Sequence, residues 1–413
     1  MAQYIKSIKV NNLFHLKDFE IPVGDERHPH LLITGKNGSG KTILLNAVSD
    51  FLEQIEGDKH LTFRKYREWE QNARTRFERA KDGEEKAEAK LQLEESKQRV
   101  EALFGKVEVI SDCFASIVEK SLAGDFVIAF YEARRSTKML EPKTPTKPAI
   151  PRKQKPRQAS TEQFLNFLSD LKIQEALARS EGEAEGANDI GEWFESFEAL
   201  LRRIFRDETL KLHFNYRDYS FLIESEGKSF SLNQMSDGYA AVMDIVADLI
   251  LSMQKQGGLT RSYEREGIVL IDELETHLHL ELQREILPIL TSIFPNIQFI
   301  VTTHSPFVLS SLPNATAYDL EHREPMKDLT EYSSESLSEG YFGVPSESSY
   351  MACQLDRLEE LLELPEPSEL QSREIRSLLK KFDALPELLS PLASGKYKQL
   401  ILKHSGNLKN FAT

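Results

Sequence analysis

The chain has only two cysteines, Cys113 and Cys353, too few for a disulfide framework or a thiolate zinc site, so a reducing, cytoplasmic setting is expected. It also lacks any run approaching the roughly 20 apolar residues of a membrane span, which argues against a membrane-embedded function. The first residues, Met1-Ala2-Gln3-Tyr4-Ile5-Lys6, lead straight into an alternating pattern with no apolar signal-peptide core. Positive charge is not in surplus: 52 basic against 66 acidic residues leave a net charge of −14. That balance excludes a protein whose whole surface binds nucleic acid, while leaving room for a local basic patch. No internal repeat is present. What remains is a chain of 413 residues, 40% hydrophobic, long enough for two or three domains around a real core.

Alternation from Tyr4 to Ile21 predicts two strands joined by a turn, and His30–Thr34 a buried strand followed by a helix over Thr42–Leu52. Between Leu61 and Leu103 the apolar residues Tyr66, Trp69, Ala73, Phe77 and Ala80, then Leu93, Val100 and Leu103, are spaced three and four apart amid dense charge. Lys81-Asp82-Gly83 interrupts them. This reads as an antiparallel helical hairpin over 53–104, with arms roughly 30 Å long, serving self-association or partner binding rather than a plain surface helix pair. Val107–Arg135 is read as strands ending in Phe126–Tyr131. Residues 136–160 are proline-rich and basic, which reads as a flexible solvated loop, with a grip on phosphates or an acidic partner as the alternative. Helices are expected over Thr161–Arg179 and Ile190–Phe205. A β-hairpin is expected from Leu210–Phe214 and Tyr219–Glu224, turning at Glu226-Gly227-Lys228, and a long helix over Asp237–Met253. Strand and helix then alternate to Leu320, and 326–413 has helical patterns only.

Four short motifs carry the chemistry. Gly35-Lys36-Asn37-Gly38-Ser39-Gly40-Lys41-Thr42 lies between a buried strand and a helix. Its glycines let successive N–H groups turn inward at a helix N-terminus, which suits a nucleotide's phosphates; Lys41 should reach the β- and γ-phosphates and the Thr42 hydroxyl should ligate Mg²⁺. Ile268–Ile271 is a buried strand projecting Asp272 toward the same metal, and Glu273 beside it can activate a water for attack on the γ-phosphate. His304, in Thr303-His304-Ser305-Pro306 at the end of the next strand, can hydrogen-bond that phosphate. Met235-Ser236-Asp237-Gly238 opens the Asp237–Met253 helix, where the Ser236 hydroxyl and the Gly238 N–H form a second anion site. One fold does not easily bring this site to its own phosphate loop, so it is expected to meet the nucleotide of a second copy.

With these residues in this order, the chain resembles the ABC-type ATPases of the SMC, RecF and OLD group. The resemblance covers roughly 1–52, 105–135 and 190–325. It implies an α/β fold: an ABC-type P-loop ATPase head with a mixed sheet, made of 1–52 and 105–325, plus the inserted antiparallel hairpin and a helical C-terminal region. Asp272-Glu273-Leu274-Glu275-Thr276-His277-Leu278-His279 looks like the group's acidic pair and following D-loop, with Leu274 in place of the usual proline. On this likeness His277 and His279 belong to a dimer seam rather than to zinc. The group's glutamine loop has no glutamine here; Tyr131-Glu132-Ala133-Arg134-Arg135 stands in its place. Within the group, the short insertion and the Tyr341-Phe342-Gly343-Val344 connector resemble the ATPase subunits of bacterial anti-phage defence systems of the Septu, PARIS and retron-linked kinds. OLD proteins carry a metal-dependent nuclease after the ATPase, whereas the region past Pro325 has no Asp-x-Asp pair and no His-Asn-His cluster.

The expectation is therefore a Mg²⁺-dependent ATPase that hydrolyses slowly, with Glu273 and His304 catalytic, residues 35–42 with Ser236 and Gly238 on the nucleotide, and Thr42 and Asp272 on the metal. Its heads would close as a homodimer or higher homo-oligomer to control a separate effector protein, expected to be a nuclease, in answer to a phage trigger. The rival reading is a RecF- or SMC-like repair ATPase that clamps DNA, in which case nucleic acid is a partner. A third is an ATP-stabilised scaffold that would survive loss of Glu273 but not of Lys41.

Overall fold

The computed structural model describes residues 4–24, 29–56, 59–81, 83–111, 114–133, 139–142, 161–254, 263, 265–326, 329–340, 342–343, 349–384 and 391–404. The chain divides into two compact units, 1–332 and 333–413. Among the described residues no helix is long and apolar enough to cross a membrane.

The first unit begins with β1 (Ser7–Leu13) and β2 (Leu16–Pro22), an antiparallel pair closed by Phe14 and His15, with Phe14 at φ 54°. Then come β3 (His30–Thr34), α1 (Lys41–Glu56), α2 (Lys59–Arg79), α3 (Glu84–Phe104), β4 (Val107–Ile110), α4 (Phe114–Ala123) and β5 (Phe126–Tyr131). They are followed by α5 (Phe164–Glu181), α6 (Ala184–Phe205), the small antiparallel sheet β6 (Lys211–Asn215), β7 (Ser220–Ser225) and β8 (Lys228–Ser231), and α7 (Asp237–Met253). The unit ends with β9 (Glu266–Ile271), α8 (Leu280–Ile293), β10 (Ile297–Thr302), α9 (Pro306–Leu309), β11 (Ala315–Asp319) and β12 (Glu324–Met326).

The central sheet has the order β12-β11-β3-β10-β9-β5; it is parallel from β11 to β5, with β12 antiparallel at one edge. Every residue of β3, β5 and β10 is buried, as expected for parallel strands covered on both faces. One face, with Ile33, Ile128, Leu270 and Ile300, packs on α1 through Leu44, Leu45, Val48 and Phe51, and α1 is covered in turn by β1 and β4 of a second sheet, β2-β1-β4. Helix α7 is buried along almost its whole length, including Ala241–Leu251, as an apolar helix inside a core must be. The fully buried Gln298 side chain is satisfied by Ile5 N–H (2.8 Å) and by the carbonyls of Ile5 (2.9 Å) and Pro29 (2.8 Å), tying the chain's first strand region to β10.

The helical hairpin is present as two helices of 21 residues each. Ala73 on α2 and Ala89, Leu93, Ser96 and Val100 on α3 are buried; Arg76 Nη1 donates to Gln92 Oε1 at 2.9 Å, and the Arg99 guanidinium lies 5.7 Å from the Trp69 ring centroid. The chain reverses at Gly83 with φ 105°; Asp82 lies outside the described residues.

The structure corrects three local expectations. Residues 107–135 are not strand throughout: α4 intervenes, its Phe114, Ile117, Val118 and Ser121 spaced for one helix face packed on the core. The turn at Glu226 and Gly227 (φ 52° and 73°) does not close the expected hairpin. It joins β7 to a third strand, β8, by the two left-handed residues of a tight turn, while β6 and β7 are connected through 216–219. Strand β12 extends past Pro325, where only helices were expected. Of the basic loop, 136–138 and 143–160 lie outside the described residues. The short piece at 139–142 is pinned: Asn233 accepts from Met139 N–H (3.0 Å) and donates to its carbonyl (2.9 Å). Arg134, Arg135, Tyr341 and Val344 also lie outside.

The second unit contains α10 (Ser334–Gly340), α11 (Ser349–Leu362), α12 (Glu369–Asp383) and α13 (Pro391–Lys403). Leu358, Leu361, Ile375, Phe382, Ala393 and Tyr397 form its own core, with the Phe382 and Tyr397 rings stacked at 5.3 Å.

Gly267 sits in β9 between β5 and β10, where a Cβ would stand 2.5 Å from the Val127 carbonyl oxygen and 2.7 Å from Ile297 Cδ1. Gly267→Ala is expected to lower unfolding free energy by about 1–3 kcal/mol, read as a lower urea midpoint in Trp193 fluorescence. An unchanged midpoint would contradict this packing.

Candidate nucleotide site

Parallel strands in register explain why distant motifs meet. Thr302 pairs with Ile33 and Val301 with Ile271, so β3, β10 and β9 end level with one another. The loops leaving their C-terminal ends carry residues 35–42, Thr303-His304 and Asp272-Glu273, the place where open α/β sheets bind ligands.

The 35–42 loop is shaped by Gly35, Gly38 and Gly40, with φ of 138°, 84° and 99°. A Cβ at Gly40 would come 2.9 Å from Leu16 Cδ1, and one at Gly35 2.9 Å from Ser39 Oγ, so a side chain at either would displace a neighbour in addition to the strain set by the positive φ. Lys41 opens α1 and is 6% exposed; its ammonium donates to the carbonyls of Gly35 (2.8 Å) and Lys36 (3.1 Å). Burial pushes its pKa below the ordinary lysine value, and the carboxylates of Glu273, Glu275 and Asp272 oppose that shift. Lys36 is turned outward to Glu321, at 2.9 Å.

Asp272 is buried and lies at the centre of the acidic side. Its Oδ1 accepts from Thr42 Oγ1 (3.2 Å) and Thr302 Oγ1 (2.6 Å), and its N–H donates to Tyr131 O (2.8 Å). The Thr302 hydroxyl also accepts from the N–H of Glu273 (2.8 Å). Glu273 itself has φ 45°, a left-handed conformation that a non-glycine residue adopts only when its surroundings impose it. Thr42 and Asp272 thus present two hard oxygen donors side by side, a donor set suited to Mg²⁺.

His304 is half-buried beside this group. Burial and then the Lys41 ammonium push its pKa below the usual histidine value, against the pull of Glu275, Glu273 and Asp272, so its imidazole is neutral near pH 7. Its backbone N–H donates to Glu275 Oε1 in a short contact, and Glu275 Oε2 accepts from Thr303 Oγ1 at 2.7 Å.

The structure therefore brings together residues 35–42, Asp272, Glu273 and His304. Among the described residues no hydrogen bond joins Ser236 or Gly238 to the 35–42 loop. Gly238 is packed so closely on the D-loop that a Cβ would stand 2.8 Å from the His277 carbonyl oxygen. Ser236 is exposed at the N-cap of α7, and its side chain makes no capping hydrogen bond. Glu132, where a glutamine was expected to be missing, is exposed just beyond β5.

Sequence reading overlooked Thr302, which joins Asp272 to Glu273, and gave Glu275 no role although it lies inside the quoted acidic stretch. It also overlooked His15, whose Nε2 lies 3.0 Å from the Ser39 carbonyl. A threonine preceding Thr303-His304 was a usable signal. The approach of the β1–β2 turn to the loop was not, because it depends on packing between sheets.

The lowered pKa of His304 has a defined sign. The unfolded chain takes the proton more readily, so the stability held by neutral His304 is lost as pH falls through the ordinary histidine pKa toward the lowered one. A ¹H NMR titration, with the signal assigned through His304→Gln, should give a midpoint below 6.5. A midpoint at or above that value would contradict the arrangement.

Known proteins resemble this chain over parts of its length. The Septu protein PtuA of Bacillus mycoides (strain KBAB4) is 32% identical over 179 residues, covering 41% of this chain and 25% of that protein. A retron Ec83 probable ATPase of Escherichia coli is 34% identical over 108 residues (26% of this chain, 20% of that protein). A retron Vc95 probable ATPase of Vibrio cholerae serotype O1 biovar El Tor is 32% identical over 162 residues (38% and 28%). These matches span only 20–28% of the relatives' own length. Among solved structures, an SMC head bound to the C-winged helix domain of ScpA overlays with a TM-score of 0.39 at 12% identity, covering 79% of this chain and 95% of that one. Residues 31–310, from the strand before the phosphate loop to the end of the helix after His304, match a single family model over more than half the chain. On that match the chain belongs to the family of AAA-domain proteins described as "AAA domain, putative AbiEii toxin, Type IV TA system".

Proposed function

We propose that this chain binds and slowly hydrolyses ATP as the regulatory subunit of an anti-phage defence system, closing two copies of its head on two nucleotides to control a separate effector. The observation that carries this reading is the division among the four motifs. Three converge at the level ends of β3, β10 and β9, while the fourth presents Ser236 to solvent with its hydroxyl unused by its own helix. An exposed anion site of this kind is completed by something outside the fold.

In this mechanism Lys41 leaves the carbonyls of Gly35 and Lys36 and turns its ammonium to the β- and γ-phosphates. The buried ammonium thereby exchanges neutral acceptors for charged ones. Thr42 and Asp272 would hold Mg²⁺, whose charge neutralises phosphate oxygens when it is bound. Glu273 accepts the proton of a water whose oxygen attacks the γ-phosphorus, and the bond to the β–γ bridging oxygen breaks to release ADP. His304, neutral in the fold, donates a hydrogen bond to a γ-phosphate oxygen. Ser236 and the Gly238 N–H reach the γ-phosphate held by the second copy, so that hydrolysis requires closure.

The defence assignment is supported by the likeness to a Septu protein and to retron ATPases, each matched over only part of its length. The effector is expected to be a nuclease on another chain, released or restrained as the nucleotide state changes with a phage cue.

Lys41→Ala is expected to abolish nucleotide binding. Glu273→Gln should lower kcat by about 10²–10⁴-fold, the usual contribution of a general base, while accumulating an ATP-dependent dimer in mass measurements with and without ATP. Equal turnover by Glu273→Gln and wild type would refute the assigned base.

A further inference from the structure

Glu275 is among the carboxylates around Lys41 and has no task in the hydrolytic scheme, yet both its oxygens are engaged. Oε2 accepts from the Thr303 hydroxyl at 2.7 Å, and Oε1 accepts from the backbone N–H of His304 in the short contact already described. The Thr303 hydroxyl in turn accepts from Ser305 N–H at 3.0 Å. Ser305 continues the chain of contacts by capping α9, accepting from Phe307 and Val308 N–H, and by donating to Gln283 Oε1 at 2.6 Å. The loop carrying His304 is thus fixed by side chains at three successive residues, and the Glu275 carboxylate holds two of them.

Resting on the ATPase reading above, we infer that Glu275 is a positioning residue: it clamps Thr303 and the His304 backbone, and so fixes the direction from which the imidazole meets the γ-phosphate. Its own loop is rigid enough to serve as the anchor. Leu274, fully buried, donates its N–H to Thr302 O at 3.2 Å, and Leu278 donates to Glu275 O at 2.9 Å. Glu275 therefore sits on a turn bonded to the strand that bears the loop it clamps.

What the clamp on the His304 loop requires of this side chain is shape; its negative charge acts separately, on the Lys41 ammonium and on His304. A glutamine keeps the same geometry with one contact reversed: its oxygen accepts from His304 N–H, and its NH₂ donates to Thr303 Oγ1, which already accepts from Ser305 N–H and gives up its own donation to residue 275. A carboxylate acting as base or metal ligand has no such substitute. The conservative variant therefore separates this role from the roles of Glu273 and Asp272.

The test measures kcat, KM and nucleotide affinity for wild type, Glu275→Gln, Glu275→Ala, Thr303→Val, His304→Ala and the Glu275→Ala/His304→Ala pair. Glu275→Ala is expected to lose on the order of 10- to 100-fold in kcat, the scale of a misplaced catalytic contact, with KM and nucleotide affinity within about threefold of wild type, a shift too small to signal lost binding. Glu275→Gln should keep most of the wild-type kcat. Thr303→Val, which removes one of the two clamps, should fall between, and it carries the test should Glu275→Ala not fold. In the His304→Ala background, Glu275→Ala should cost nothing further, because it acts through the histidine. Wild-type kcat in Glu275→Ala, a Gln variant as slow as the Ala variant, or losses that multiply with His304→Ala would each overturn the inference. Glu273→Gln, assayed in parallel, keeps the two proposals apart. If it turns over like wild type, the hydrolytic scheme fails. If it is inactive while Glu275→Ala is not, only the positioning role fails.

Discussion

Burying the ammonium of Lys41 is the constraint around which the site is arranged. At 6% exposure it has lost most of its hydration, a loss that only hydrogen bonds and opposite charge can offset. Two loop carbonyls accept hydrogen bonds from it, and Glu273, Glu275 and Asp272 surround it with negative charge. Carbonyl oxygens are weaker partners than phosphate oxygens for such a cation. A phosphate at the glycine-shaped loop would therefore be a better partner for this ammonium than the two carbonyls. Burial, and after it this same ammonium, push the His304 pKa down.

The converging carboxylates depend on the sheet. Strands β3, β10 and β9 are neighbours and parallel, and their register brings their last residues level. A one-residue slip would turn Asp272 to the opposite face. Threonine 302 makes the junction between β10 and β9 specific, donating to Asp272 and accepting from the N–H of Glu273. The strained backbone of Glu273 persists because these contacts over-determine it.

Much of this was legible because the motifs sit where strand meets loop. The buried run His30–Thr34 followed by glycines, and Ile268–Ile271 followed by two acids, announce both the element and its chemistry. The long helical hairpin was equally plain from the spacing of Trp69, Ala73, Leu93 and Val100. Helix α4 was not: its Phe114, Ile117 and Val118 lie between two strands, and ten residues of mixed apolar character do not settle a period. The third strand of the small sheet was missed because Glu226-Gly227 fits a turn between any two strands. Thr302, Glu275 and His15 acquire meaning only from partners that are 29 residues (Glu275 to His304), 30 (Thr302 to Asp272) and 24 (His15 to Ser39) away in sequence. Local patterns do not encode such contacts.

Ser236 and Gly238 make no hydrogen bond to the loop they are proposed to serve, among the described residues, and Gly238 is held against His277 by close backbone contact. The account therefore rests on nucleotide shared between copies. The most direct measurement mixes two defective chains in a Glu273→Gln background, one also carrying Lys41→Ala and the other Ser236→Arg. Neither chain alone retains a complete composite site, whereas a mixed pair retains one, formed by Lys41 of the second chain and Ser236 of the first. The account predicts an ATP-dependent dimer, seen by mass, only in the mixture. A mixture that behaves as the sum of its separate components would contradict it.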